Sequence, residues 1–180
     1  MPLAPSIEIV TFYLMPERLI IDLVDFAHQA RAHHGKIALS ELERLHDYLA
    51  ADSGELQYAV AGGLDQDGKP VLQILVTGEI TLQCQRCLGD LRHTLDLNTV
   101  LLLAQNENEL LRLDEDESVD CILATRDTDV LALIEDEIIL SLPISPRHNE
   151  AECSIVPLNG EGAVAREKPL AALAELKKLH

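Results

Sequence analysis

The chain has no tryptophan, and aromatic residues make up only 3% of its 180 positions. Stacking platforms of the kind that grip single-stranded nucleic acid are therefore nearly excluded. The core must be built from Leu, Ile, Val and Ala, within a 47% apolar composition that suffices for one ordinary domain. Basic residues are also scarce: 14 Lys and Arg stand against 31 Asp and Glu, for a formal charge of −17. Neutralising phosphates takes clustered Lys and Arg, so a broad nucleic-acid-binding face is disfavoured. No segment approaches the roughly 18 apolar residues of a membrane span. The opening MPLAPSIEIVTFYLMPERL lacks the basic stretch, apolar run and small-residue cleavage site of a secretory signal. A cytoplasmic protein is expected, in which four cysteines serve as thiols or metal ligands rather than as a disulfide framework.

What is present is unevenly spread. Residues 105–152 carry 14 acidic against 3 basic side chains, whereas residues 153–180 carry 3 against 4. Acidity is thus a property of the third quarter, and an acidic block repels phosphate and attracts basic proteins or cations.

Periodicity divides the chain into a helical or mixed lead-in (1–50), a strand-and-helix core (51–148) and a loop with an amphipathic tail (149–180), within a single domain. In the lead-in, Leu19, Leu23 and Phe26 stand at helical spacing, with Gly35 as a left-handed stop. Ser40 and Glu43 occupy capping-box positions ahead of a second helix carrying Leu42, Leu45 and Leu49 on one face. From Glu55 the period changes to two. ELQYAVAG and PVLQILVTGEITLQC read as strands joined through Asp67-Gly68, and LRHTLDLNTVLLLA as a third strand, giving an antiparallel meander. QNENELLRLDEDES reads as an acidic surface loop without regular structure. Val130, Ile134 and Ile138 align on a helix capped by Asp127 or Asp129 and ended by Pro143, and Leu170, Leu173 and Leu176 align on a short C-terminal helix. The expected fold class is α+β: an antiparallel meander with flanking helices.

The chemistry concentrates in LQCQRCLGDL, where Cys84 and Cys87 form a C-x-x-C at the tip of a hairpin. A thioredoxin-like dithiol gains its acidity from a helix N-terminus. Here the second cysteine precedes Leu-Gly-Asp and another strand, so a redox dithiol is the poorer fit. A metal knuckle needs only a tight turn that aims two sulfurs at one point, and His148 and Cys153 of HNEAEC could complete a tetrahedral zinc site. In that case the sulfurs should lie within about 4 Å of one another. A metal-free thiol cluster remains the alternative. Cys121 reads as a small core residue, and His28, His33 and His34 with Arg31 and Lys36 as a modest basic spot. Glu135 and Asp136 are adjacent and should point to different sides, poor geometry for an acid–base pair. No nucleophile triad, phosphate loop or H-E-x-x-H is present, and no enzyme is expected.

Three stretches together resemble the YceD family of large ribosomal RNA subunit accumulation proteins: LQCQRCLGDL (82–91), IEDEIILSLPISPRH (134–148) with the following Cys153, and KPLAALAELKK (168–178). A fourth, HHGKIALSELERL (33–45), resembles the family's lead-in. Many relatives look as though they carry further cysteines near HNEAEC, in keeping with a Cys–Cys–His–Cys set. The resemblance implies a bacterial cytoplasmic factor, without known catalytic chemistry, that supports synthesis, processing or stability of large-subunit ribosomal RNA. It also implies a gene that commonly neighbours one for a small basic ribosomal protein. The tail departs from the family pattern, with Lys168-Pro169-Leu170 in place of Asn-Pro-Phe. Two partners follow as expectations. One is ribosomal RNA, met by Arg86, Arg92, Lys177 and Lys178. The other is a basic ribosomal protein, met by Asp114, Glu115, Asp116 and Glu117.

Overall fold

The structure, a computed structural model, describes residues 19–116, 118–149 and 152–153. Its backbone order is β1 (Ile20–Ile21), α1 (Leu23–His28), β2 (Ala32–Ala38), two 3₁₀ turns, β3 (Leu49–Ala51), β4 (Glu55–Leu64), β5 (Pro70–Gln83), β6 (Asp90–Ala104), α2 (Glu107–Leu113), β7 (Asp120–Leu123), β8 (Thr128–Asp129) and α3 (Val130–Ser141). The main sheet runs β2-β4-β5-β6-β7, with β3 added alongside β5, while β1 and β8 form a separate two-residue pair.

The expected meander forms the centre of this sheet. β4 pairs antiparallel with β5, and β5 with β6, from Val71 opposite Leu102 to Gln83 opposite Asp90. Period-two patterning sorts β5 so that Leu72, Ile74, Val76, Ile80 and Leu82 are buried on one face. On that face pack Leu23 and Phe26 of α1 and Val130, Ile134 and Ile138 of α3, making one core. α1 can reach β4 only because residue 62 is glycine. A Cβ there would stand 2.6 Å from the Phe26 carbonyl oxygen and 2.7 Å from the Ala27 Cα. β7 joins β6 as the parallel exception, Leu101 opposite Asp120 and Ala104 opposite Leu123.

The structure corrects the lead-in. α1 is a short helix whose N-cap Asp22 accepts the amide N–H groups of Val24 and Asp25 at 3.1 Å. It ends at His28, and the left-handed residue that stops it is Ala30, five residues before Gly35, with φ of 47°. Ala30 donates to the Ala27 carbonyl and Arg31 to the Phe26 carbonyl, the two bonds of a Schellman ending. Gly35 sits instead inside β2, opposite Tyr58, where a Cβ would meet the Tyr58 ring at 3.0 Å. The second expected helix is replaced by 3₁₀ turns at Leu39–Glu41 and Leu45–Tyr48, with no side-chain cap on either. Leu39, Leu42 and Leu45 are fully buried. Their spacing of three is the 3₁₀ period, and Leu49 has already entered β3.

The acidic loop is corrected too. α2 starts at an N-cap, Asn106, whose side chain accepts the Glu109 amide, while Glu109 reaches back to the Gln105 amide. None of its residues is buried, so local capping rather than packing defines it. α3 is as expected, capped by Asp129 and followed directly by Leu142-Pro143. The expected C-terminal helix lies outside the described residues. Among the described residues no helix is long and apolar enough to cross a membrane.

Candidate metal centre

The β5–β6 connection is a tight turn closed by two backbone bonds, Cys84 N–H to the Gly89 carbonyl at 2.9 Å and Leu88 N–H to the Cys84 carbonyl at 2.8 Å. Leu88 takes a left-handed φ of 60° to complete it. The turn aims both thiols to one side. The segment leaving α3 meets it there, docked by the Gln85 N–H on the Pro146 carbonyl at 2.8 Å.

That docking brings Cys84, Cys87, His148 and Cys153 together, with one ligand atom from each lying within 4.8 Å of all the others. The Cys84 and Cys153 sulfurs are 3.9 Å apart, and Cys87 Sγ is 3.4 Å from His148 Nδ1. Two sulfurs bonded to one tetrahedral zinc would stand about 3.8 Å apart, from Zn–S bonds of about 2.3 Å. The donor set therefore fits a zinc ion in spacing and in kind. The outer groups fit as well. His148 Nε2 lies 2.8 Å from the Asp90 carbonyl, a contact that fixes the ring and leaves Nδ1 facing the sulfurs.

Electrostatics prepares the same point. Burial alone would raise the Cys84 thiol, but backbone N–H groups of Cys87, His148 and Arg86 outweigh it and bring the thiol down to about 5. The Asp90 carbonyl, followed by the neighbouring thiols, holds the His148 imidazole above its usual range. Arg86 Nε donates to Cys153 Sγ at 2.9 Å, and its Nη2 reaches the His148 and Asn149 carbonyls. Three thiolates and a neutral imidazole around a dication would leave one net negative charge, which this guanidinium would offset. Arg86 is thus part of the knuckle's frame as well as a candidate contact.

Other expected site residues are dispersed. Arg92 is exposed on β6 opposite Thr81, beside Glu55 and Glu79. Asp114, Glu115 and Asp116 are exposed after α2, and Asp116 is held below its ordinary range by the Ser118 hydroxyl and amide. Glu117, Lys177 and Lys178 lie outside the described residues. The basic spot is largely committed: Lys36 pairs with Glu55 at 3.1 Å, Arg31 stacks over the Phe26 ring, and His33 is bonded to the Tyr58 hydroxyl and lowered by burial and by His34. Cys121 is half-buried on β7 rather than in the core.

The adjacent Glu135 and Asp136 do not diverge as expected. Both bind Arg44, through Nε at 2.9 Å and Nη1 at 2.6 Å, and Glu135 also accepts the amides of Arg44 and Leu45. A long side chain on a neighbouring element bridges two positions that face apart on their own helix. Two pairs of motifs thus meet in space: the lead-in and the α3 stretch through Arg44, and the hairpin tip and the α3 exit through the knuckle.

The family model described as "Large ribosomal RNA subunit accumulation protein YceD" matches residues 72–179. The chain belongs to the YceD family. Within it, the chain is 25% identical to the Haemophilus influenzae protein named "Large ribosomal RNA subunit accumulation protein YceD", over 166 residues that span 89% of this chain and 95% of that one. No solved structure gives a significant match. The matched YceD region starts in β5 and takes in the knuckle, α3 and all four candidate ligands.

Proposed function

We propose that this YceD-family chain is a cytoplasmic, non-enzymatic factor supporting the synthesis, processing or stability of large-subunit ribosomal RNA, and that its knuckle is closed by zinc in a structural role. Family membership supports the first part. The observation carrying the second is the convergence of three thiols and one ring nitrogen within 4.8 Å, from segments 69 residues apart. Cys84, Cys87, Cys153 and His148 Nδ1 would hold the ion, the Asp90 carbonyl would orient the imidazole, and Arg86 would balance the charge. With these four residues filling a tetrahedral site, a bound ion would supply cross-linking free energy rather than reactivity.

The test has two arms. Depleting the protein in its host should lower large-subunit relative to small-subunit ribosomal RNA, and an unchanged ratio overturns the role. Elemental analysis of protein purified without chelator should give one zinc per chain, lost in Cys84→Ser. A metal-free protein with unaltered stability in chelator overturns the zinc reading.

A second reading is that the direct partner is a basic ribosomal protein, which the chain escorts without touching RNA. The crowding of 14 acids into residues 105–152 supports it. Co-purification with such a protein at moderate salt, without RNA, is the expected result.

A further inference from the structure

α3 carries two buried glutamates with opposite surroundings. Glu135 is answered by Arg44 and two backbone amides. Glu137, 8% exposed, has the Thr99 hydroxyl but no cation within ion-pair distance among the described residues. It borders a cavity of about 490 Å³ between α3, β6, β7 and the end of α2. Asp114 and Asp120 stand on the same cavity, and among the described residues no Lys, Arg or His lines it. Its remaining walls are largely apolar, including Leu97, Leu101 and Ile122.

This combination selects a kind of ligand. The Cys/His knuckle is the only convergent set of three or more candidate ligands among the described residues. The three carboxylates therefore surround the cavity without closing on a point, which suits a bare metal ion poorly. An organic cation with an apolar stem satisfies both kinds of wall, its methylenes against the leucines and its charged head at Glu137. Phosphate is repelled. A carboxylate largely held out of water without a cation carries a desolvation cost that an incoming cation offsets.

We propose that this cavity receives an arginine or lysine side chain of a basic partner protein, with Glu137 as the charge that anchors it. The proposal deepens the escort reading, on which it rests for the partner being a protein. It is independent of the zinc.

The test uses the full chain and a short alternating arginine–glycine peptide, with its citrulline counterpart as a neutral isostere. The arginine peptide should bind, the citrulline peptide should not, and Glu137→Gln should weaken binding about ten-fold or more. A double change of two exposed acids elsewhere, Glu41→Gln with Glu43→Gln, should cost less than about two-fold. Equal losses in the two variants, or equal binding of both peptides, overturn the cavity assignment. Alkylation of Cys121, which lines the cavity, gives a readout on the unmodified chain should Glu137→Gln fail to fold. Protection by the arginine peptide alone supports the site, and no protection, or protection by an RNA oligonucleotide instead, overturns it. A basic ribosomal protein that binds equally with and without the Glu137 charge removes the cavity assignment and leaves the escort reading standing. Failure of both the peptide and every basic ribosomal protein to bind removes both.

Discussion

The two flanks of α3 pose the same electrostatic problem and answer it differently. On the Arg44 flank a buried carboxylate receives a guanidinium and two amide donors, all from one turn of the lead-in. On the cavity flank an equally buried carboxylate is left with a hydroxyl, and burial, chiefly, pushes its titration upward, with Asp120 and Asp136 adding to it. The difference teaches that one buried charge is satisfied within the described residues while the other faces a cavity, where the proposed cation would enter.

The largest expected effect breaks the satisfied flank. Arg44→Ala leaves Glu135 buried opposite nothing but amides and releases Asp136, and should cost about 3 kcal/mol. The urea midpoint should fall accordingly, and a loss below about 0.5 kcal/mol would contradict the clamp.

A smaller effect of opposite sign is expected on the cavity flank. Glu137→Gln removes an unpaired charge and should stabilise the free chain by about 1 kcal/mol at neutral pH. Because the folded-state pKa of Glu137 is raised above its ordinary value, its protonation favours folding. Its unfavourable contribution is present above the raised pKa and disappears as pH falls toward and below the unfolded value. The stability gap between Glu137→Gln and the parent should therefore close on acidification, which denaturation at a series of pH values will show. A constant gap would trace the effect to packing.

The smallest effect sharpens the comparison by supplying the missing cation in cis. Leu140 lies on the cavity rim and is 78% exposed. Leu140→Lys should stabilise the chain by about 0.5 kcal/mol, vanish in the Glu137→Gln background, and reduce capture of the arginine peptide. Full additivity of the two changes would show that lysine and glutamate do not meet.

What was legible in the sequence follows from where the determinants lie. β4, β5, β6 and α3 each have a long apolar pattern of one period and a local stop signal, so they could be read directly. β2 could not. Only Gly35 and Ile37 of its seven residues are buried, and the need for glycine there is set by Tyr58 on another strand. α2 had a readable signal in Asn106 and Glu109, an N-cap with an acid three residues on, which the density of charge obscured. The knuckle showed as C-x-x-C plus a histidine and a cysteine downstream, chemistry being local even when partners are not. Glu137 gave no signal. Its neighbour Glu135 carries the same side chain two positions away, and only the placement of Arg44 and Thr99 makes the two unlike.

The clamps themselves set an order of events. Arg44 meets Glu135 across 91 residues, and Cys84 meets Cys153 across 69. The β4–β5–β6 meander closes through adjacent segments, so it can form while the chain is still being synthesised. A nascent chain that has emerged only as far as Ala104 possesses the hairpin tip, with Cys84 and Cys87, and neither clamp. Its lead-in leucines have no α3 to cover them. The protein thus acquires both its candidate metal centre and its closed core within the same late stretch of translation, between α3 and Cys153, and until then its hairpin tip can offer an ion only two of the four ligands.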